Sequence, residues 1–304
     1  MQWIKNKERI ALLVGCGLAL ALILFAVFAK YSNNTASVRT VYENILEKKR
    51  LLSEIRIDLL KSLEMEKSAV MALTDQESME YANQSRAASA SVDQNLMTLR
   101  PLVDTVPVEK KHLDDFAACW ADLGKIDQVL LPLAVENTNL KAAALSRDQG
   151  GEGMQRFEQA LETIRVAAAG HPEERQITAL ASRAMVAALK IFNLHGPHII
   201  EPDTTKMDQI EARMKAEETV VIQSLAVLEE LLSNDKPEAI SQAKVAFAEF
   251  LAVTNQVVHL SRLNSNIKSL ELSMGRKRTI AAQCDNSLAA LQESVQQKTF
   301  KATK

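Results

Sequence analysis

The sequence predicts an all-α protein: an N-terminal transmembrane helix followed by antiparallel helical bundles, arranged as two stacked four-helix-type modules that share long helices. Three observations carry this. Residues 10–29 form an unbroken run of 20 residues without a charge. Apolar residues beyond it recur at alternating steps of three and four, the spacing of one helix face. Glycine and proline together are too few to punctuate many short strands, and good helix formers dominate. At 304 residues the chain is long for one compact core, so two modules are expected.

At about 1.5 Å per residue the uncharged run spans roughly 30 Å, the hydrocarbon thickness of a bilayer. Lys5, Lys7 and Arg9 precede it and only Glu8 opposes them. Basic residues stay cytoplasmic, so residues 1–9 are expected inside and the bulk of the chain in the periplasm or outside. Val27-Phe28-Ala29 suits a signal-peptide cleavage site, but the run exceeds the usual 7–15 residue signal core. An uncleaved single-pass anchor in the lipid bilayer is the reading taken.

The first bundle stripe is Val38, Val41, Ile45, Lys48, Leu52, Ile55 and Leu59. Thr74 with Glu77 three residues on is a capping box, ending one helix near Leu73 and opening the next, to about Leu99. Pro101, Thr105 and Pro107 mark a turn. A third helix is expected from Val106 to Arg147, kinked at Pro132. Gln149-Gly150-Gly151-Glu152-Gly153 reads as a flexible loop, and a fourth helix covers Met154 to Ala169. Gly170-His171-Pro172 interrupts, with Pro172 in the first turn of a helix ending near Leu194. His195-Gly196-Pro197 and Pro202 are expected to form a loop. Asp203 or Thr204 caps a helix whose core positions are Met207, Ile210, Met214, Val221, Leu225, Leu228 and Leu232. After a turn at Asn234, Asp235 and Pro237, one helix is expected to run to about Phe300, with Asn264 inside its apolar stripe. A buried asparagine there either sets register or oligomeric state, or sits hydrated where the modules meet.

Cys119 and Cys284 fall on apolar stripes, Phe116 and Trp120 beside the first, and all four read as core residues. A disulfide between the cysteines stays open, since spacing alone does not fix connectivity.

No nucleophile elbow, phosphate loop, His-Glu-x-x-His, Cys-x-x-Cys or haem-attachment motif occurs. No catalytic residue, metal site, cofactor or enzyme activity is expected. The formal charge of −2 and the lack of a basic, aromatic-interleaved stripe speak against nucleic acid. The densest polar cluster is His195-Gly196-Pro197-His198-Ile199-Ile200-Glu201-Pro202-Asp203. Two imidazoles and two carboxylates suit a small ligand, a pH sensor or a transition metal, while capping groups in an interhelical loop would look the same. His195, His198, Glu201 and Asp203 are therefore candidate ligand contacts. Arg56 is another, for an anion, although such residues more often make surface ion pairs.

Glu54-Ile55-Arg56-Ile57-Asp58-Leu59-Leu60, Glu66-Lys67, Thr74-Asp75, Phe116, Trp120 and Leu140-Lys141-Ala142-Ala143-Ala144-Leu145, placed after a signal-anchor helix, resemble the four-helix-bundle sensor domain of bacterial methyl-accepting chemoreceptors. With the second half added, the layout is similar to the bimodular variety of that domain. The resemblance implies residues 30–170 as one sensor bundle, 171–304 as a second module, a homodimer, and residence in the bacterial inner membrane. No methyl-accepting signalling region follows before Lys304. Signalling is thus expected to pass through an associated membrane or envelope protein. The competing expectation is a structural stalk of the cell envelope with no small-molecule ligand.

Overall fold

The computed structural model describes the backbone over residues 2–232 and 237–302, and side chains over 23–25, 39–232 and 237–297. The side chains of the uncharged run, apart from 23–25, and the turn at Asn234 and Asp235 lie outside the described residues. Among the described residues every regular element is helical: α1 (Gln2–Met71), α2 (Asp75–Val103), α3 (Pro107–Glu136), α4 (Thr138–Leu145), α5 (Gly151–Ala167), α6 (Glu174–Ile199), α7 (Thr204–Leu232), α8 (Pro237–Leu263), α9 (Ser265–Leu272) and α10 (Arg278–Ala302). Five-residue π-helical stretches, Ser146–Gly150 and Ser273–Lys277, join α4 to α5 and α9 to α10.

The chain forms two compact units. One comprises Met1–Leu60, Ala88–Trp120 and Ala282–Lys304; the other comprises Lys61–Ala87 and Ala121–Ala281. Each therefore draws on both sides of residue 170.

In the first unit, four helical segments bury one core. Leu52, Ile55 and Leu59 of α1 are buried, as are Val92 and Leu99 of α2, Phe116 of α3, and Leu288 and Leu291 of α10. Lys48 occupies an apolar-stripe position and is buried, but it is not left uncompensated. Its ammonium meets the buried Glu109 carboxylate at 2.5 Å. Cys119 and Cys284 are joined by a disulfide with Cα atoms 5.6 Å apart. The pairing that spacing left open is thus formed: two stripes that face each other bring the sulfurs together. Phe116 and Cys284 are fully buried, whereas Trp120 is only partly covered. It turns its indole N–H outward to Asp93 Oδ1 at 2.6 Å, so it sits at the rim.

In the second unit, α5, α6, α7 and α8 form an antiparallel four-helix bundle. α6 packs on α5 and α7, and α8 packs on α5 and α7. Its core is continuous from Phe157, Leu161 and Ile164 through Ile177 and Ile191 to Leu225, Leu228, Phe247 and Phe250. α6 is long and apolar enough to cross a membrane by length and composition. Its apolar face, however, is the wall of this core, and Lys190 on its other face pairs with Glu217 at 2.9 Å. A smaller cluster of Ala69, Val70, Ala82, Leu130, Leu131 and Ala134 belongs to the same unit.

The capping box is present: Thr74 Oγ1 donates to Glu77 Oε2 at 2.9 Å and accepts from Glu77 N–H at 3.2 Å. Three expectations are corrected. Residues 149–153 are not a loop but continue a helix, and two of their glycines, Gly150 and Gly153, lie at close contacts. A Cβ on Gly153 would lie 3.3 Å from Phe250 Cα, and one on Gly150 3.3 Å from the Phe192 ring. The third helix does not run unbroken to Arg147; it breaks at Asn137. The last helix likewise breaks at Asn264, inside the second unit. Both asparagines hold left-handed backbone, φ 50° and 56°. Asparagine tolerates that region better than most residues and leaves no compositional mark.

Gly153→Val is expected to destabilise the bundle by about 1–3 kcal/mol, since the obstacle is backbone and must itself move. Urea denaturation of the full chain, followed by circular dichroism, checks this.

Candidate functional site

The polar groups that matter lie inside the second unit. His195 and His198 were expected in a loop. They stand instead in the last turns of α6, which continues through Gly196 and Pro197 to Ile199. A proline there removes one helical hydrogen bond. The end of the helix is held from outside: Ser261 Oγ donates to His198 O at 2.8 Å and Asn139 Nδ2 to Ile199 O at 2.6 Å.

Both imidazoles are almost completely buried. His195 Nε2 lies 3.1 Å from Thr254 Oγ1, and Thr254 gives its own proton to Phe250 O. Nε2 must then be the donor, which leaves Nδ1 to accept from Ser146 Oγ at 2.9 Å. The ring is satisfied as a neutral tautomer, wedged against Phe192 and Phe250. His198 Nε2 reaches Glu211 Oε1 at 2.8 Å and Nδ1 reaches Ser261 Oγ at 2.7 Å. Burial by itself would raise the Glu211 carboxyl, but hydrogen bonds from Arg262 and His198 and the Arg262 charge outweigh it and hold it below the usual range. Arg262 also binds Asp208.

Glu201 and Asp203 do not join the histidines. Glu201 Oε1 accepts from Asp203 N–H at 3.0 Å, and Asp203 Oδ1 caps α7 through Thr205 N–H at 2.7 Å. The notional four-ligand cluster is thus two buried histidines and two half-exposed or exposed capping carboxylates. Among the described residues no group of three or more His, Cys, Asp or Glu is placed to hold a metal. Arg56 lies in the other unit, where it pairs with Asp285 at 3.1 Å.

A groove of about 630 Å³ opens beside the histidine turns, between α6 and α7. Lys190, Asn193 and Pro197 line one wall, Arg213 and Glu217 the other.

Burial, with a smaller contribution from the neighbouring His198, pushes His195 from 6.5 down to about 4. The unfolded chain takes the proton below about pH 6.5, while the folded chain resists it until about pH 4. This stability is therefore complete above pH 6.5 and is lost as pH falls towards 4, up to about 3 kcal/mol. His195→Gln is expected to flatten the stability profile across that window in urea titrations at stepped pH.

Sequence reasoning missed Ser146, Thr254, Ser261, Glu211, Asn139 and Asn266. The hydroxyls look like ordinary helix residues, and only the fold brings them to the imidazoles. One signal was available: Asn137-Thr138-Asn139-Leu140-Lys141 and Asn264-Ser265-Asn266-Ile267-Lys268 are near copies.

Comparison with known proteins gives a match over residues 4–167 to the four helix bundle sensory module for signal transduction. No curated protein matches the chain. Among solved structures, the TorS sensor domain crystallised in complex with TorT in the presence of TMAO superposes with a TM-score of 0.41. That pairing has 15% sequence identity and covers 83% of this chain and 99% of that one.

Proposed function

Since the chain belongs to the family of four-helix-bundle sensory modules for signal transduction, we propose that it is a membrane-anchored extracytoplasmic sensor. It binds a small polar ligand or a partner protein and passes the signal to an associated protein. The observation that carries the binding part is the second unit's polar interior. Buried His195 and His198 with their hydroxyl and carboxylate partners line the turns next to the α6–α7 groove, where apolar packing would have sufficed for stability alone. Cationic Lys190 and Arg213 beside Asn193 and Glu217 suit an anionic or zwitterionic small molecule.

Two further features support the placement. A disulfide between Cys119 and Cys284 belongs to an oxidising compartment. Ile23, Leu24 and Phe25 of the uncharged run are exposed, as side chains facing lipid would be. No catalytic role is proposed.

A thermal-shift screen of the full chain in detergent, against amino acids, organic acids and metal ions, tests the reading. A ligand at about 100 times its dissociation constant adds roughly 2.7 kcal/mol of stability. Arg213→Ala is expected to abolish the shift given by an anionic hit. No stabilisation by any member overturns the small-ligand form. Cross-linking in membranes then tests the partner form, and capture of no envelope protein leaves the stalk reading in its place.

A further inference from the structure

The two near-copies stand 127 residues apart and do the same thing in the fold. Each opens on an asparagine in left-handed backbone that interrupts a long helix. Each is followed by an eight-residue α segment and then by a five-residue π stretch starting at a serine, Ser146 or Ser273. In each, the lysine reaches back across its own break. Lys141 Nζ donates to Glu136 O and Lys268 Nζ to Leu263 O, both at 2.8 Å.

The first N–H groups of a helix have no partner inside it and are normally capped by the residue just before. Neither Asn137 nor Asn264 provides such a cap. The caps come from the other copy. Thr138 N–H donates to Ser265 Oγ and Ser265 N–H to Thr138 Oγ1, both at 3.0 Å. Asn139 N–H donates to Asn266 Oδ1 at 3.1 Å, and Asn266 N–H to Asn139 Oδ1 at 3.2 Å. The arrangement is a reciprocal, pseudo-twofold clasp, buried at Thr138, Asn139, Asn264 and Ser265.

We propose that the two helix breaks form a single two-state joint, each capped by the other, so that they open or straighten together. Straightening one break returns its N–H groups to its own helix and swings its side chains away. That strips two caps from the opposite segment where the chain is buried, and a buried amide left unpaired is costly. Mixed states are therefore the unfavourable ones. The joint also touches the end of α6: Asn139 Nδ2 binds Ile199 O, and Asn264 Nδ2 binds Glu201 O at 3.0 Å. A displacement of the histidine turns reaches both breaks at once. The π stretches, rare in helices and concentrated where helices must shift register, flank the clasp on the other side. Use of the joint for signalling rests on the sensory reading; its existence does not.

Amide hydrogen exchange of the full chain in lipid nanodiscs, read over 138–145 and 265–272 without any ligand, tests the joint. In the unmodified protein the two segments are expected to open with the same free energy and the same denaturant dependence. Ser265→Ala removes the acceptor of Thr138 N–H while leaving the cap on Ser265 in place. It is expected to accelerate exchange in both segments by about tenfold, and Thr138→Val to do the same. Combining them is expected to add little. Unequal opening in the unmodified protein, or acceleration confined to 138–145 in Ser265→Ala, overturns the proposal. If neither variant folds, the unmodified protein alone decides. Because no ligand is involved, a failed ligand screen and a failed joint are separate results.

Discussion

Cys284→Ser is expected to destabilise the chain by about 4–5 kcal/mol, the largest effect of any single change outside its apolar core. The disulfide closes a separation of 165 residues, and in the chain-entropy description closing a loop of that size restricts the unfolded state by about 5 kcal/mol. Cys284 is also fully buried, so the serine leaves a hydroxyl to be satisfied in an apolar site. Denaturant titration of the full chain with and without dithiothreitol checks this. The unmodified protein should lose stability on reduction, and Cys284→Ser should be indifferent to it. The closed loop runs through Ala121–Ala281 of the second unit, so the full loss is expected for unfolding of the whole chain.

Lys277→Met should come next, with a loss of about 3–5 kcal/mol, because it leaves buried carboxylates without their cation. The Lys277 ammonium is buried in the π stretch between α9 and α10. It meets Glu66 Oε2 at 3.2 Å and also binds Asp127. The other oxygen of Glu66 has no hydrogen-bond partner among the described residues. Burial pushes the Asp127 carboxyl up, against the pull of Lys277 and of the more distant Arg86. A carboxyl whose folded value lies above its unfolded one is stabilising at low pH, and that contribution is lost as pH rises through the folded value. Removing Lys277 strengthens this, so the penalty of Lys277→Met is expected to be smallest in acid and to grow towards neutral pH. Adding Glu66→Gln and Asp127→Asn should restore most of the loss. A penalty that does not change with pH would show that lost packing, not charge, is responsible.

The helical architecture was legible because it is written in periodicity. The stripe from Val38 to Leu59 and the face of α7 both carry their apolar residues at helical spacing, and Thr74 and Glu77 mark a helix start by a local hydrogen-bond pattern. What failed were positions whose local chemistry is overruled from a distance. Gly150 and Gly153 look like loop residues until Phe192 and Phe250 are brought against them. Gly196 and Pro197 look like a helix end, yet Ser261 and Asn139 hold that turn closed. Asn137 and Asn264 look like helix residues, and only their partners 127 residues away turn them into breaks. Of the candidate site, the two histidines were legible as an unusual pair, because imidazoles are scarce in this chain. Their hydroxyl partners were not, since serine and threonine on a helix carry no sign of which neighbour they meet.

The proposed extracytoplasmic placement is tested most directly by thiol labelling in intact cells expressing a Cys16→Ala background. A membrane-impermeant maleimide should leave Cys119 and Cys284 unlabelled before reduction and label both after treatment with a membrane-impermeant reductant under mild denaturation of the cell surface. Labelling that appears only after the inner membrane is broken would place the bundle on the cytoplasmic side and contradict the sensor outside it.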